Sequence, residues 1–148
     1  MSGAGKPRSL RHMAMDFLAR REHSAYELRN KLRARAENSE ELESVMQALQ
    51  SEKLQSDERF TEAYVHHRFN GGMGPLKIRH ELRQKGIGDA MIDDGLLPLE
   101  EEWESLMRTE RERRFGESIP DDYSARMKQA RFLQNRGFSP EAVMRLFR

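Results

Sequence analysis

The stretch from Asp57 to Ile87, DERFTEAYVHHRFNGGMGPLKIRHELRQKGI, decides how the chain folds. Phe60, Ala63, Tyr64 and His67 recur at helical spacing and predict one face of a helix. The run Asn70-Gly71-Gly72-Met73-Gly74 ends that helix, because glycine adopts backbone angles that other residues resist. Pro75 suits the first turn of a second helix, where its missing N–H costs nothing. Ile78 and Leu82 supply that helix with an i, i+4 apolar pair, and Gly86 stops it. Met91, Ile92 and Leu96 then mark a short third helix. The unit is a helical triplet whose middle member is basic.

The pattern repeats on both sides. Upstream, Leu10, Met13, Phe17 and Leu18 share helical spacing, and Ser24 with Glu27 forms a capping box for a helix carrying Leu28 and Leu32. Asn38 and Glu41 cap another, with Leu42, Val45, Met46 and Leu49 along one stripe. Downstream, Trp103, Leu106 and Met107 begin a third triplet, and Gly116 to Asp122 reads as a polar loop. Tyr123, Met127, Ala130 and Leu133 follow; Gly137 closes that helix, and Ser139-Pro140-Glu141 starts a last one with Val143, Leu146 and Phe147.

Register agrees with the helix count. Leu82-Arg-Gln-Lys-Gly86-Ile87 aligns with Leu133-Gln-Asn-Arg-Gly137-Phe138, whereas the first unit has Ala36 in place of the glycine and a longer connection after it. With no β-period run between them, these segments predict an all-α protein of three tandem three-helix repeats, over residues 8–52, 56–97 and 98–148. Each repeat is too small to bury a large core, so an elongated, curved ribbon of small cores is expected. The composition agrees: over 148 residues, apolar content is 36% and mean hydropathy is −0.90, low for one compact core.

The absence of cysteine excludes disulfides and thiolate metal sites and fits a reducing compartment, the cytoplasm. Charges interrupt the apolar positions of the first 21 residues, so neither a signal peptide nor a membrane span is expected. Net charge is only +1, but it is segregated. Lys6 to Arg35 holds nine basic and three acidic residues, Glu37 to Glu62 two and eight, His66 to Gly86 five and one. Asp89 to Glu104 holds seven acidic residues and no basic one, and Arg126 to Arg148 six basic and one acidic. The sign alternates in blocks of about a helix length.

Basic side chains recur on the middle helix of each triplet: Arg29, Lys31, Arg33 and Arg35, then Lys77, Arg79, Arg83 and Lys85, then Arg126, Lys128, Arg131 and Arg136. Such a spaced surface can engage phosphates or acidic protein grooves even at low net charge. The competing reading is a solvated face with intrahelical pairs such as Glu81 with Lys85.

Other motifs carry less. No two of the five histidines have the i, i+4 spacing of a metal clamp, so no metal site is expected. The turn before Pro75 lacks the Gly-Lys-Ser/Thr of a phosphate loop, and Gly74-Pro75 is read as a joint that sets the angle of the basic helix. Trp103, Tyr123 and Phe147 read as core; Phe132, adjacent to Leu133, is the aromatic that could face a partner beside Arg131. No nucleophile, base and orienting group come together, so neither catalysis nor a cofactor is expected.

The central residues resemble the RecX family of bacterial recombination regulators. The resemblance rests on Asp57, Arg59-Phe60, Ala63, Val65 and Arg68, then Gly74-Pro75, Ile78-Arg79, Glu81-Leu82 and Lys85-Gly86-Ile87, with Ser24, Glu27-Leu28 and Lys31-Leu32 in the first repeat. It implies three helical repeats, no catalysis, and binding to the RecA recombinase as a filament on DNA. It also implies that the protein lies in or along the filament groove and inhibits ATP hydrolysis, strand exchange and co-cleavage of the SOS repressor.

The contacts expected are Arg68, Lys77, Arg79, Arg83 and Lys85, flanked by Arg29, Lys31, Arg33, Arg126, Lys128 and Arg131, with Gly74, Pro75, Gly86 and Gly137 as structural turns. A monomer with weak, non-specific affinity for single- or double-stranded DNA, and none for membranes, is expected. The alternative is a regulator that binds DNA directly, because a basic helix after a tight turn resembles helix-turn-helix geometry. No one helix concentrates the base-reading Asn, Gln and Arg that specificity would need.

Overall fold

The structure, a computed structural model, describes residues 8–148; Lys6, which opens the first basic block, lies outside them. Among the described residues there are nine α-helices and no strand. They are α1 (Leu10–Arg20), α2 (Ala25–Leu32), α3 (Ser39–Ser51), α4 (Asp57–Asn70), α5 (Pro75–Gln84), α6 (Asp89–Leu96), α7 (Trp103–Phe115), α8 (Tyr123–Asn135) and α9 (Pro140–Leu146). Short 3-10 turns at Arg33–Arg35 and Leu97–Leu99 extend α2 and α6.

Local chemistry accounts for the helix starts. The Ser24 hydroxyl accepts from the Glu27 N–H while the Glu27 carboxylate accepts from the Ser24 N–H, so two otherwise unpaired donors of α2 are satisfied together. Asn38, Ser56, Asp122 and Ser139 each accept from the N–H three residues on. Gly74 and Gly88 have no side chain to do this, and Pro75 removes one of the donors at the start of α5.

Three separate cores lie in chain order. Leu28, Leu32, Met46 and Leu49 centre the first, Val65, Ile78, Leu82 and Ile92 the second, and Met107, Leu133 and Val143 the third. Each is closed by its own triplet: α1 packs on α2 and α3, α4 on α5 and α6, and α7 on α8 and α9. Trp103 touches both the second core and the third. Among the described residues no hydrogen bond or ion pair joins the first unit to the third. A linear array of nearest neighbours results, the arrangement in which small repeats stabilise one another.

Several details differ from the sequence reading. The buried face of α4 is Phe60, Thr61 and Val65, whereas Ala63 and His67 are exposed and line an open groove of about 290 Å³ beside Arg21 and Glu22. Tyr123 is not core; it is 75% exposed, because as the first residue of α8 it extends past the helix end. Phe132 is half-buried rather than free for a partner, packed edge-on against Phe115 with the Arg114 and Arg136 guanidinium groups over its ring. The Glu81–Lys85 pair does not form. Glu81 binds Arg68 and Tyr64, and Lys85 reaches Glu27 in the first unit.

Ala36 is explained by the turn before it. Gly86 and Gly137 hold positive φ values of 81° and 102°, but Ala36 sits at φ −80°, ψ 143°. The 3-10 turn Arg33–Arg35 redirects the first unit's chain without a left-handed residue, and alanine is then compatible.

Candidate functional site

The interfaces between units decide where the basic helices point, and hydrogen bonds run across both. At the first, the Asp57 carboxylate accepts from the Ala25 N–H at 2.8 Å and from Gln55 Nε2 at 3.0 Å, and Gln55 Nε2 also donates to the His23 carbonyl. The opening residue of α4 thereby helps to cap α2 of the preceding unit. Beside it, Glu27 accepts from Arg21 at 3.1 Å, from the Ser24 N–H at 3.1 Å and from Lys85 at 3.2 Å. Burial alone would raise the Glu27 carboxyl, but these hydrogen bonds outweigh it and bring its pKa down to about 2. Arg59 closes the edge through Glu22 and the carbonyls of Lys53 and Leu54.

At the second joint, backbone meets backbone. The Gly74 N–H donates to the Arg136 carbonyl at 2.6 Å, and the Leu76 N–H donates to the Gly137 carbonyl at 3.0 Å. A Cβ on Gly74 would lie 2.5 Å from the Gly137 carbonyl group, and one on Gly137 would lie 2.4 Å from Lys77 Cβ. The two glycines permit this approach, so Gly74-Pro75 is both a helix start and half of an interface. Arg136 adds bonds to the Gly71 carbonyl and to Glu110, and Phe69 meets the Trp103 ring edge-on.

The eleven expected contact residues separate into three groups. Arg29, Arg79 and Arg83 bind carboxylates on the following helix or its start, Glu43, Asp93 and Asp89 respectively, near solvent. Ion pairs of this kind contribute about 0–1 kcal/mol, so a stronger anionic partner can displace them. Arg68, Lys85, Lys77 and Arg126 hold structure. Arg68 binds Glu81 in a two-pronged pair at 2.9 Å, and Lys85 spans the first joint. Lys77 donates to the Asn135 carbonyl across the second joint, and Arg126 donates to the carbonyls of Pro120 and Phe147.

The third group is open. Lys128 and Arg131 are exposed on α8 with no ion pair among the described residues, and Arg33 meets only Asn30. Lys31 has a neutral neighbour: its Nζ lies 2.8 Å from His23 Nε2 and 4.8 Å from the centre of the Phe17 ring. Unneutralised cations thus flank a middle unit in which Arg68, Arg79, Arg83 and Lys85 are paired with carboxylates and Lys77 is held by a carbonyl.

Around Arg68 the electrostatics are tight. Burial raises the Tyr64 hydroxyl, and its hydrogen bond to Glu81 raises it further, to about 12. Burial would raise Glu81 too, but Arg68 and Tyr64 overcome it and hold the carboxyl below its ordinary value. These groups stay ionised or neutral near neutral pH, which suits a fixed strut between α4 and α5.

The sequence reading missed Arg111. It is 2% exposed and binds the carbonyls of Glu117 and Ser118 and the Gln129 side chain, without a carboxylate among those hydrogen-bond partners. Together with Arg126 it holds the Gly116–Asp122 loop by its backbone. Its place in a charged run, Arg108 to Arg114, concealed it; only its helical alignment with Met107 was a clue.

Comparison with known proteins follows the three units. Family models described as the first, second and third three-helix domains of RecX match residues 11–49, 56–96 and 100–147. Regulatory protein RecX of Halorhodospira halophila is 42% identical over 144 residues, spanning 97% of this chain and 89% of that protein. Its counterpart in Pseudomonas entomophila is 41% identical over 140 residues, spanning 95% and 90%. A crystal structure of regulatory protein RecX superposes with a TM-score of 0.73 at 26% identity, covering 90% of this chain and 69% of that one. RecX from Lactobacillus salivarius gives 0.77 at 23% identity, covering 90% and 89%, which speaks to the fold. On three successive domains and more than 40% identity over nearly its whole length, the chain belongs to the RecX family.

Proposed function

We propose that the chain is a non-enzymatic, cytoplasmic regulator that binds the RecA recombinase filament on DNA along its helical groove. There it restrains ATP hydrolysis, strand exchange and co-cleavage of the SOS repressor. The observation that carries this reading is membership of the RecX family across all three units. The geometry is compatible with it. Three small units locked edge to edge by hydrogen bonds offer a series of spaced contacts, and each contact adds to the next at high effective concentration.

The open cations are proposed to make the partner contacts: Arg33 and Lys31 on the first unit, Lys128 and Arg131 on the third. Arg29, Arg79 and Arg83 would join by exchanging exposed carboxylate partners for phosphates or acidic side chains. The alternative, a helix-turn-helix-like regulator that binds DNA directly with weak sequence specificity, is less well supported, because the cations of α5 face their own carboxylates or the neighbouring unit.

Titrating the chain into a preformed RecA filament while following ATP hydrolysis tests the reading. Hydrolysis is expected to fall as the chain is added, and Lys128→Glu with Arg131→Glu is expected to blunt the fall with helix content unchanged. An unchanged hydrolysis rate at every ratio overturns the proposal.

A further inference from the structure

The Lys31–His23 pair has a chemistry that partner binding does not use. His23 is 2% exposed, and its Nδ1 lies 3.1 Å from the Arg21 carbonyl. A carbonyl only accepts, so Nδ1 carries the ring proton and Nε2 presents a lone pair. That lone pair faces Lys31 Nζ at 2.8 Å. The arrangement has the parts of an activated amine: a nucleophile, a base within hydrogen-bond reach, and a group that orients the base.

The surroundings push in the same direction. Among the charged groups acting on Lys31, Arg20, Arg21 and Lys85 are cationic, and the Glu27 carboxylate is already shared by Arg21 and Lys85. Burial and these positive charges lower the Lys31 pKa from its ordinary value, although Glu27 and the Phe17 ring favour the ammonium form. Burial lowers His23 as well, which makes the ring a weaker base but keeps it neutral, with Nε2 free to accept. Lys31 itself is exposed and borders a groove of about 680 Å³ whose lining also carries Phe17, Arg20 and Arg35 and the carboxylates Asp16, Glu37 and Glu41, Asp16 being paired with Arg8.

We propose that Lys31 is an acylation site, its amine activated by His23 for attack on a small acyl phosphate drawn to Arg20. The ammonium gives one proton to His23 Nε2, and the free amine forms a bond to the acyl carbon. The bond from that carbon to the phosphate oxygen breaks, and its electron pair leaves with the phosphate, which takes the second nitrogen proton. His23 returns its proton to water. One amide, one hydrogen phosphate and one proton result, and nothing is oxidised or reduced. The amide keeps one N–H for His23 but removes the charge of an open cation. Weakened filament binding after acylation rests on the function proposed above; the labelling does not.

The test is incubation of the full chain with acetyl phosphate at pH 7.5, with site-by-site rates read by peptide mass spectrometry. An ordinary lysine is about 0.1% free amine near that pH, so a modest activation is readily seen against Lys53 and Lys128. Lys31 is expected to label at least about tenfold faster than either, with a pH profile that levels off at lower pH. His23→Gln keeps a hydrogen-bond acceptor but removes the base, and is expected to bring Lys31 to the Lys128 rate while Lys53 is unaffected. Labelling no faster than Lys128 overturns the proposal. So does an unchanged Lys31 rate in His23→Gln, and, should that variant not fold, a Lys31 pH profile matching that of Lys128 in the unmodified chain decides against it.

Discussion

Replacing Glu27 by Gln should weaken the coupling of the first two units, which the Asp57–Ala25, Gln55–His23 and Arg59–Glu22 bonds still join. Glutamine can still accept from the Ser24 N–H, so the cap of α2 survives, but Arg21 and Lys85 lose their shared anion. The folded carboxyl titrates at about 2 against an ordinary 4.5. That depression corresponds to about 3 kcal/mol, and discounting for Arg21, whose side chain is half exposed, leaves about 2. The sign follows from linkage. A carboxyl with a lowered folded pKa contributes its full stability above the unfolded value of 4.5 and loses it as pH falls toward 2.

Urea denaturation followed by circular dichroism should therefore show Glu27→Gln about 2 kcal/mol less stable at pH 7, with the gap closing between pH 4.5 and 2. Because Lys85 belongs to the second unit, the variant should also unfold less cooperatively, with a smaller denaturant slope. A double-mutant cycle with Lys85→Met isolates the coupling across the joint. A loss under about 0.5 kcal/mol at pH 7, or a gap that does not change with pH, would refute this reasoning.

Gly137→Ala should cost about 3 kcal/mol or more in thermal denaturation, since its Cβ would strike Lys77 at a positive φ; Gly116→Ala meets open space, but at φ 87°, ψ 174°, a region essentially confined to glycine, it should still cost about 1–3 kcal/mol through backbone strain alone. Arg111→Ala should cost about 3 kcal/mol and expose the 116–122 loop to limited proteolysis, because the Glu117 and Ser118 carbonyls lose their donor. Absorbance titration of the chain against Tyr64→Phe should place the missing phenol near pH 12, and an ionisation near 10 would remove the Glu81 hydrogen bond from the account.

Much of the architecture is legible in the sequence because it is local. Ser24 with Glu27, Asn38 with Glu41, and Ser139 with Pro140 announce helix starts within four residues, and Gly86 and Gly137 mark stops that need positive φ. The joints are not local. Glu27 meets Lys85, and Lys77 meets Asn135, each across 58 positions, and neither pair has a spacing that a helical period would reveal. Asp57 looks like the first residue of a helix and is also a cap for another unit. The same limit applies to the basic surface. Counting charges finds the cations on α2, α4, α5 and α8, but only the fold tells Arg68, locked on Glu81, from Arg131, which is open. Arg111 illustrates the converse, a charged residue in a polar run whose burial follows from the loop wrapped around it.

Electron microscopy of RecA filaments saturated with this chain tests the central claim most directly. The account predicts density for the three units following the helical groove, with the α8 face bearing Lys128 and Arg131 against the filament. Filaments without added density, or density confined to DNA outside the groove, would contradict it.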